Sequence, residues 1–387
     1  MKKLITPLFL STLFLFSACT GGDSSESEGG LGDIVEDVFD GDYFHMTGNF
    51  DDGVYTNVFE VESRYWPSFM MVIPENTDLQ NEKFEAVAIF DDYGIANETY
   101  PVGKNISFFQ QDGSNADRKT LVEVEDDDIT LYLDDANQTG IAYSFYDERM
   151  DMYDVYYYDI HDEESKMVAS GDVDKLNSFA SVVGDKIYWT EIDGDDFAIY
   201  SDGIGYEKEE VIYQKNAWGV LLESHGDYLV YFLETYTDDY EYLTNDVIIY
   251  DLTTNEISQS VEVDMDYEVL SGNYDGENIF ITAYDYENYV YVNAEIDHDG
   301  MHVVNEEDDF VTTFTGAGSK NFLMKAQEYY HGDFYEAEYL DIHTGEEESF
   351  SDLLNAGIYN NYFFYIECDV NTDQLINELT LVLEEVN

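Results

Sequence analysis

The stretch Ile248-Ile249-Tyr250-Asp251-Leu252-Thr253-Thr254-Asn255 has the composition of a β-strand that ends in a tight turn. Ile and Tyr favour strands, whereas Asp, Thr and Asn favour turns. Closer or looser copies of this stretch recur along the chain, and their turn aspartates are Asp112, Asp159, Asp202, Asp251, Asp297 and Asp341. Successive aspartates of this series are 47, 43, 49, 46 and 44 residues apart, so the sequence contains an internal repeat.

A second apolar strand keeps the same spacing along the chain. It covers residues 140–143, 186–189, 228–231, 278–281, 321–324 and 362–365. Four short strands in roughly 45 residues is the spacing of a β-propeller blade. A twisted four-stranded sheet buries both apolar faces only when it packs between neighbouring sheets. The repeat therefore predicts an all-β fold, a β-propeller of four-stranded blades, with a solenoid or a pair of sandwiches as the alternative.

The number of repeats predicts eight blades, with seven as the close alternative. Residues 31–387 divided by the period give close to eight units, although the first two units are poorly formed. The last unit, which begins near Phe363, lacks its outermost strand. A closed ring needs that strand, and the segment 33–39 near the start is a candidate to supply it and lock the two ends together.

Residues 1–18 are predicted to be a cleavable signal peptide. Lys2 and Lys3 precede an apolar run that is too short to span a bilayer, which takes roughly 20 residues. The run ends in Ser17-Ala18-Cys19, which resembles the lipobox of bacterial lipoproteins, with Phe16 in place of the usual leucine. The resemblance implies that Cys19 is lipidated, with acyl chains such as palmitate anchoring it firmly in the membrane. An ordinary secretory signal with a coincidental cysteine is the alternative.

Residues 19–30 are small and polar, which predicts a flexible tether, and residues 31–387 contain no further linker and are predicted to form one domain. The body resembles the TolB-like and lipoprotein β-propellers of bacteria in its hairpin style, over about two thirds of the chain. The resemblances imply an extracytoplasmic protein anchored to a cell membrane. Thr20 is not the aspartate that favours inner-membrane retention in enteric bacteria, so the outer membrane is favoured in a Gram-negative cell.

The charge of the chain is strongly negative. It carries 15 Lys and Arg against 86 Asp and Glu, a formal net charge of −71, and removal of residues 1–18 takes away two lysines and leaves −73. Phosphate binding requires clustered cations, so nucleic acid is excluded as a partner. Hydrophobic residues make up 44%, which argues against disorder. Acidity spread over a folded chain predicts a salt-adapted source, because about 1 M salt screens self-repulsion. Collection of divalent cations is the rival interpretation.

The sequence shows no catalytic residue set and predicts no cofactor. It contains no Gly-x-Ser-x-Gly motif, and 86 acids make any single carboxylate pair uninformative. With Cys19 lipidated, Cys368 has no disulfide partner. Asp369, Asn371 and Asp373 alternate as in a calcium loop, although Gln374 replaces the turn glycine and Thr380 the bidentate glutamate. The same spacing occurs in ordinary hairpin turns, so a calcium site and a plain turn both stay open.

Two further patterns bear on partners. The tyrosine-rich segments 236–242 and 284–291 fit either contact with a partner or packing between blades. The alternating acids of segment 264–268 are typical of a solvated outer strand. We therefore expect a membrane-anchored, non-catalytic interaction platform for an envelope protein, a peptide or a glycan. The alternatives are an extracytoplasmic glycan hydrolase or lyase that uses channel carboxylates, and a structural surface protein of a salt-adapted bacterium.

Overall fold

The computed structural model describes most of the backbone between residues 47 and 385 and most side chains from 105 to 306. The residues outside this description are 1–46, 52–53, 64–67, 73–84, 91–101, 104, 112–115, 127, 177–179, 240, 264–265, 275, 298–299, 308–311, 316–321, 329–334, 342–346, 360–361, 371–375 and 386–387. The predicted signal peptide, Cys19 and the tether all belong to the first of these segments.

The described residues form 29 β-strands. The first fifteen are β1 Thr47–Asp51, β2 Val54–Ser63, β3 Ser68–Val72, β4 Glu85–Phe90, β5 Val102–Gly103, β6 Asn105–Gln111, β7 Ala116–Glu123, β8 Ile129–Ala136, β9 Gly140–Asp147, β10 Met152–Asp159, β11 Glu164–Asp172, β12 Ser181–Val183, β13 Lys186–Asp193, β14 Asp196–Asp202 and β15 Glu209–Gln214. The others are β16 Ala217–His225, β17 Tyr228–Tyr236, β18 Tyr242–Asp251, β19 Glu256–Glu262, β20 Tyr267–Tyr274, β21 Ile279–Asp285, β22 Val290–Asp297, β23 Gly300–Glu307, β24 Thr312–Thr315, β25 Phe322–Glu328, β26 Tyr335–Asp341, β27 Glu347–Tyr359, β28 Tyr362–Val370 and β29 Ile376–Glu385. In this part of the chain, no helix is long and apolar enough to cross a membrane.

The strands form antiparallel four-stranded sets that follow one another along the chain, as in a β-propeller. Blade 1 is β3, β4, β6 and β7; blade 2 is β8 to β11, with the two-residue strand β5 paired to the free edge of β8; blade 3 is β12 to β15; blade 4 is β16 to β19; and blade 5 is β20 to β23. Blade 6 is β24, β25, β26 and the first half of β27, and blade 7 is the second half of β27 with β28, β29 and β2. The innermost strands contact one another in cyclic order, from β3 through β8, β12, β16, β20, β24 and β27 back to β3.

Two devices join the ends of this ring. Strand β27 pairs with β26 up to Leu353 and with β28 from Leu353 onward, so one strand serves two blades. Strand β2 pairs with β29, with Val54 opposite Glu384, and β1 adds a further strand at the outer edge. An early strand therefore completes the last blade. That strand is Val54–Ser63, whereas the segment 33–39 considered for this role lies outside the described residues.

The described strands favour the seven-blade alternative over the preferred count of eight. Division of the chain by the repeat length treated β1 and β2 as part of a blade of their own, whereas they belong to the sheet of blade 7. Among the described strands we find seven four-stranded sets and no eighth. The count for the whole ring stays a prediction.

The repeat aspartates Asp159, Asp202, Asp251, Asp297 and Asp341 end the third strands of blades 2 to 6, and Asp112 lies outside the described residues. Asp251 is the last residue of β18, and its Oδ1 atom accepts hydrogen bonds from the backbone N–H groups of Thr253 and Thr254, at 2.7 and 3.2 Å. Asp159 ends β10 and receives the backbone N–H of His161 at 2.8 Å. An aspartate at this point satisfies the donors of the turn that follows, which explains why it recurs.

The hydrophobic core consists of layers between neighbouring blades. One layer joins blades 2 and 3, and its buried residues include Tyr157, Ile187 and Trp189. The layer between blades 3 and 4 contains Phe197 and Tyr231, whose rings stack with their centroids 5.9 Å apart. Large aromatic side chains fill these layers, because each blade alone would leave two apolar faces exposed to water.

Candidate functional site

The ring has two faces, which are distinguished by their turns. The 2–3 face carries the hairpins between second and third strands, which in blades 2 to 5 are residues 148–151, 194–195, 237–241 and 286–289. The fourth strand of each blade also ends at this face, because neighbouring strands are antiparallel. The opposite 1–2 face carries the turns between first and second strands, which are residues 137–139, 184–185, 226–227 and 275–278.

Large apolar side chains are exposed on the 2–3 face. They are Met150 at 52% exposure, Tyr213 at 52%, Leu243 at 53%, Tyr286 at 52% and Tyr289 at 71%. Single exposed apolar residues are ordinary, and others such as Met167, Tyr206 and Ile257 are exposed elsewhere, but five recur at this face in blades 2 to 5. The 2–3 face is therefore the candidate functional site.

Each of blades 2 to 5 places a tyrosine beside a carboxylate at this face. The hydroxyl of Tyr146 donates to Asp151 at 2.8 Å, that of Tyr213 donates to Asp196, and that of Tyr286 donates to Glu268. In blade 4 the side chain of Tyr236 is hydrogen-bonded to Glu234. We name these four the tyrosine–carboxylate pairs: Tyr146–Asp151, Tyr213–Asp196, Tyr236–Glu234 and Tyr286–Glu268.

Hydrogen bonding to a carboxylate keeps these tyrosines protonated. Burial and the bond to Asp151 raise the pKa of Tyr146 to about 12. The bond to Asp196 raises the pKa of Tyr213, and burial together with the bond to Glu268 raises that of Tyr286. At neutral pH each phenol is therefore a hydrogen-bond donor to its carboxyl partner.

Packing between aromatic rings fixes several of these side chains. Tyr146 stacks on Tyr153 with centroids 4.7 Å apart, and Tyr284 contacts Tyr286 at 5.0 Å and Tyr291 at 4.9 Å. The sequence left segment 284–291 open between contact with a partner and packing between blades, and these ring contacts, which lie within one blade, show neither role. Tyr284 and Tyr291 pack within blade 5, while Tyr286 projects into solvent.

Two carboxylates approach each other where blades 4 and 5 meet. Burial raises the pKa of Glu234, the hydrogen bond from Tyr236 opposes the rise, and the charge of Glu268 adds to it. Glu268 lies at the start of β20, the innermost strand of blade 5. The prediction that segment 264–268 is a solvated outer strand was therefore wrong for its described end, because acid alternation alone does not distinguish inner from outer strands.

Arg149 in the 2–3 hairpin of blade 2 forms ion pairs with several neighbouring aspartates. The Arg149 guanidinium lies 2.9 Å from Asp126, 3.4 Å from Asp128 and 3.3 Å from Asp147. Burial alone would raise the pKa of Asp147, but the bonds from Arg149 outweigh it and the pKa is lowered. Arg149 thus offsets the negative charges of three neighbouring carboxylates that would otherwise repel one another.

A different pair of carboxylates lies on the innermost strand β8, towards the 1–2 face. Asp134 receives the hydroxyl of Ser144, and its Oδ1 atom is buried and accepts no hydrogen bond from any described residue. Burial raises its pKa to about 7. Asp135 accepts the backbone N–H groups of Ala136 at 2.8 Å and of Val182 at 2.7 Å, and burial raises its pKa to about 6.

Asp134 occupies a bulge that recurs in other blades. In β8 the register with β9 skips residue 134, and equivalent skips pass over Leu222, Leu270 and Leu354. In blade 4, Leu222 packs against the apolar layer between blades 4 and 5. Blade 2 alone among these four places a carboxyl group there, which a comparison of aligned repeats could have revealed.

The residues selected from sequence lie mostly outside the described part of the chain. Cys19, Asn371 and Asp373 fall in segments without description, and Asp369 belongs to β28, whose side chains are not described. Among the described residues, no group of three or more His, Cys, Asp or Glu side chains is arranged to hold a metal ion. The structure therefore tests neither the lipidation site nor the calcium loop.

Comparisons with known proteins gave structural likenesses only. No family model matches the chain, and no curated protein matches it. TolB from Acinetobacter baumannii is similar with a TM-score of 0.41 and 10% identity, covering 74% of this chain and 80% of that one. The β-propeller domain of the Trilobed protease from Pyrococcus furiosus has a TM-score of 0.44 and 12% identity, covering 88% and 93%. Oligogalacturonate lyase from Vibrio parahaemolyticus has a TM-score of 0.41 and 8% identity, covering 84% and 98%.

These likenesses are too distant to assign a family. The β-propeller fold itself follows from the succession of four-stranded sheets and from the cyclic contacts of the innermost strands.

Proposed function

We propose that this chain is a lipid-anchored cell-envelope protein, without catalytic activity, whose propeller binds a protein, peptide or glycan through the 2–3 face. The observation that supports the proposal is the exposure of Tyr213 in blade 3 and of Tyr286 and Tyr289 in blade 5, all at the same face. Aromatic side chains that are exposed and held by neighbours are typical anchors of binding surfaces. The rigid ring would hold them in fixed relative positions.

Site-specific photocrosslinking in the native host tests the binding surface. A photoreactive amino acid is placed at Tyr289 on the 2–3 face and, in a matched variant, at Ile257, which is 56% exposed on the outer strand β19. We expect a discrete crosslinked species from position 289 and none from position 257. Equal crosslinking from both positions, or none from either, would contradict the proposed surface.

The membrane anchor is tested separately. Cells grown with labelled palmitate should label the natural chain and leave a Cys19→Ala variant unlabelled, and the variant should leave the membrane fraction. Labelling that persists in Cys19→Ala would reject lipidation at this residue. Location on the outer membrane is tested by fractionation of the same cells.

A glycan hydrolase or lyase is the second candidate function. It is favoured by one observation, the two adjacent carboxyl groups of Asp134 and Asp135 with raised pKa values on an innermost strand. Turnover of a glycan that is lost in Asp134→Asn and retained in Asp162→Asn would support this activity. Asp162 is an exposed turn residue of the same blade.

A further inference from the structure

The chain shows how it holds its own cations. Lys186 lies over the ring of Tyr206 at 4.9 Å from the centroid, and the hydroxyl of Tyr206 donates to Asp185 at 2.5 Å. This arrangement lies on the 1–2 face and is a tyrosine hydrogen-bonded to a carboxylate, with an ammonium group over the ring. A bond to a carboxylate enriches the ring in electrons, which strengthens its attraction for a cation.

A second lysine of the same blade, blade 3, lies over a tyrosine ring and forms an ion pair with a carboxylate of its own. Lys208 lies over the ring of Tyr200 at 3.9 Å from the centroid and forms an ion pair with the buried Glu191. Burial would raise the pKa of Glu191, but Lys208 and the indole N–H of Trp189 outweigh it and lower the pKa. Blade 3 thus places a lysine over a tyrosine ring twice, each time with a carboxylate beside the tyrosine or the lysine.

The tyrosine–carboxylate pairs of the 2–3 face also place a tyrosine beside a carboxylate. In two of these pairs the tyrosine ring is exposed to solvent and has no described cation of the chain over it. Tyr213 and Tyr286 are each 52% exposed, and no described lysine or arginine lies over either ring. The chain has 15 basic residues against 86 acidic ones, so it has few cations of its own to fill such positions. Lys215 helps to lower the pKa of Asp196, so the Tyr213–Asp196 pair has a lysine near its carboxylate but no described lysine over its ring. A cationic group from another molecule would cover the exposed rings of both pairs.

We propose that the 2–3 face binds a basic polypeptide segment, with lysine or arginine side chains over the rings of Tyr213 and Tyr286 and beside Asp196 and Glu268. The inference rests on the proposed function, because it specifies the partner of that surface. A neutral glycan would stack on the same rings but would leave the carboxylates of Glu234 and Glu268 without a counter-charge. A cationic segment satisfies both the rings and the acids.

Variants that lose a tyrosine but keep the net charge of the chain distinguish cation binding at the tyrosine rings from the general attraction of a basic peptide to an acidic protein. The full mature chain is titrated with a fluorescent Lys-Gly repeat peptide, with a Glu-Gly peptide and with a neutral oligosaccharide, at about 0.15 M salt. The binding variant is Tyr213→Leu with Tyr286→Leu. The matched control is Tyr206→Leu, which removes a tyrosine of the same type from the 1–2 face.

We expect the Tyr213→Leu, Tyr286→Leu variant to raise the Kd of the Lys-Gly peptide about tenfold, since two exposed cation–π contacts are lost. The control should stay within about twofold of the natural chain. Equal binding by all three proteins would show charge attraction alone and would overturn the proposal. Tyrosine-dependent binding of the oligosaccharide, with peptide binding unchanged, would overturn it too.

A second variant covers the case in which the double substitution impairs folding. Glu268→Gln keeps the shape of the side chain, and Glu256→Gln removes an equal charge from the exposed outer strand β19. We expect Glu268→Gln to weaken peptide binding more than Glu256→Gln does, and equal effects would contradict the site. The crosslinking at position 289 is independent of this result. If crosslinking at position 289 finds no partner while the tyrosine variants weaken peptide binding, the proposed function as an interaction platform is contradicted. The inference that the 2–3 face binds cations would then still hold.

Discussion

Asp134 makes the boundary between blades 2 and 3 differ from the equivalent boundaries by a single residue. The equivalent bulge positions hold Leu222, Leu270 and Leu354, whereas Asp134 places a buried oxygen without a described donor between blades 2 and 3. A buried acceptor left unsatisfied costs about 1–3 kcal/mol. Asp134 therefore lowers the free energy of unfolding of the chain, as residues at functional positions often do.

This cost should depend on pH. The pKa of Asp134 is raised from 3.8 to about 7, so between those values the folded chain retains a proton that the unfolded chain has lost. Stability from this group is therefore full below pH 4 and falls as pH rises to about 7. We expect Asp134→Asn to be more stable than the natural chain at pH 8 by about 1–3 kcal/mol, with a smaller gain at pH 4. Urea unfolding at both pH values measures it.

Asp162→Asn is the control for this comparison, since Asp162 is an exposed turn residue of the same blade. It should change stability equally little at both pH values. A gain for Asp134→Asn that is the same at pH 4 and pH 8 would show that the carboxyl does not titrate as described.

The tyrosine–carboxylate pairs could not be found from sequence spacing. Tyr146 and Asp151 are 5 residues apart, Tyr213 and Asp196 are 17 apart, and Tyr286 and Glu268 are 18 apart. Only the fold brings the last two pairs together across strands. The turn aspartates were predictable, because residues such as Asp159, Asp251 and Asp297 bond to backbone groups two or three residues away.

At the scale of the strand, periodicity carried most of the information. The apolar segments 140–143 and 228–231 are the starts of β9 and β17, and Asp159 and Asp251 end the third strands, as the repeat predicted. Single-strand periodicity did not identify the bulges. A skipped residue such as Asp134 shifts the alternation of side chains by one position within a short strand, which only a comparison of aligned repeats could have revealed.

Close packing between inner strands and neighbouring blades gives a prediction at this scale. A Cβ atom on Gly219 of β16 would lie 2.5 Å from the carbonyl oxygen of Phe232 and 2.9 Å from Cε2 of Phe197 in blade 3. We expect Gly219→Ala to lower the free energy of unfolding by about 1–3 kcal/mol, because the backbone of β17 and the Phe197 ring of blade 3 would both have to move. Denaturant unfolding measures the change.

Gly171→Ala provides the comparison, since a Cβ atom there would meet the flexible side chain of Lys175 at 3.1 Å. That side chain can move, so the loss of stability should be clearly smaller. Equal losses in the two variants would mean that contact between blades 3 and 4 is not what limits position 219.

At the scale of the molecule, closure depends on strands that lie far apart in sequence. Strands β2 and β29 pair along their length, and β27 links blades 6 and 7. We expect a chain that starts at residue 64 to unfold at lower denaturant, with a broader transition, than one that starts at residue 47. Removal of β1 and β2 leaves the edge of β29 unpaired. A synthetic peptide of residues 54–63 should restore part of the loss, and equal stability of the two chains would reject closure by β2.

The net charge gives a second prediction for the whole molecule. A chain with a formal charge of −71 repels itself, and the screening length falls from about 10 Å at 0.1 M salt to about 3 Å at 1 M. We expect the urea midpoint to rise with NaCl over this range. The triple variant Glu207→Gln, Glu209→Gln, Glu210→Gln should show a weaker dependence, because it removes neighbouring exposed charges. A midpoint that is unchanged or falls with salt would contradict a role for self-repulsion.

Blade number was the least predictable global property, because a repeat length counts residues and not sheets. Strand β27 contributes to two blades, and the strands before blade 1 join blade 7. Neither arrangement changes the local sequence pattern from which a repeat is recognised.

The pairing of β2 with β29 also sets an order of events during synthesis. Strand β2 is synthesised early, and its partner β29 is synthesised only when nearly the whole polypeptide has been made. Contacts between such distant segments form late, and unpaired edges are open to proteolysis and aggregation in the meantime. An interrupted translation product therefore cannot close, and ring closure distinguishes finished molecules from unfinished ones before any partner is met.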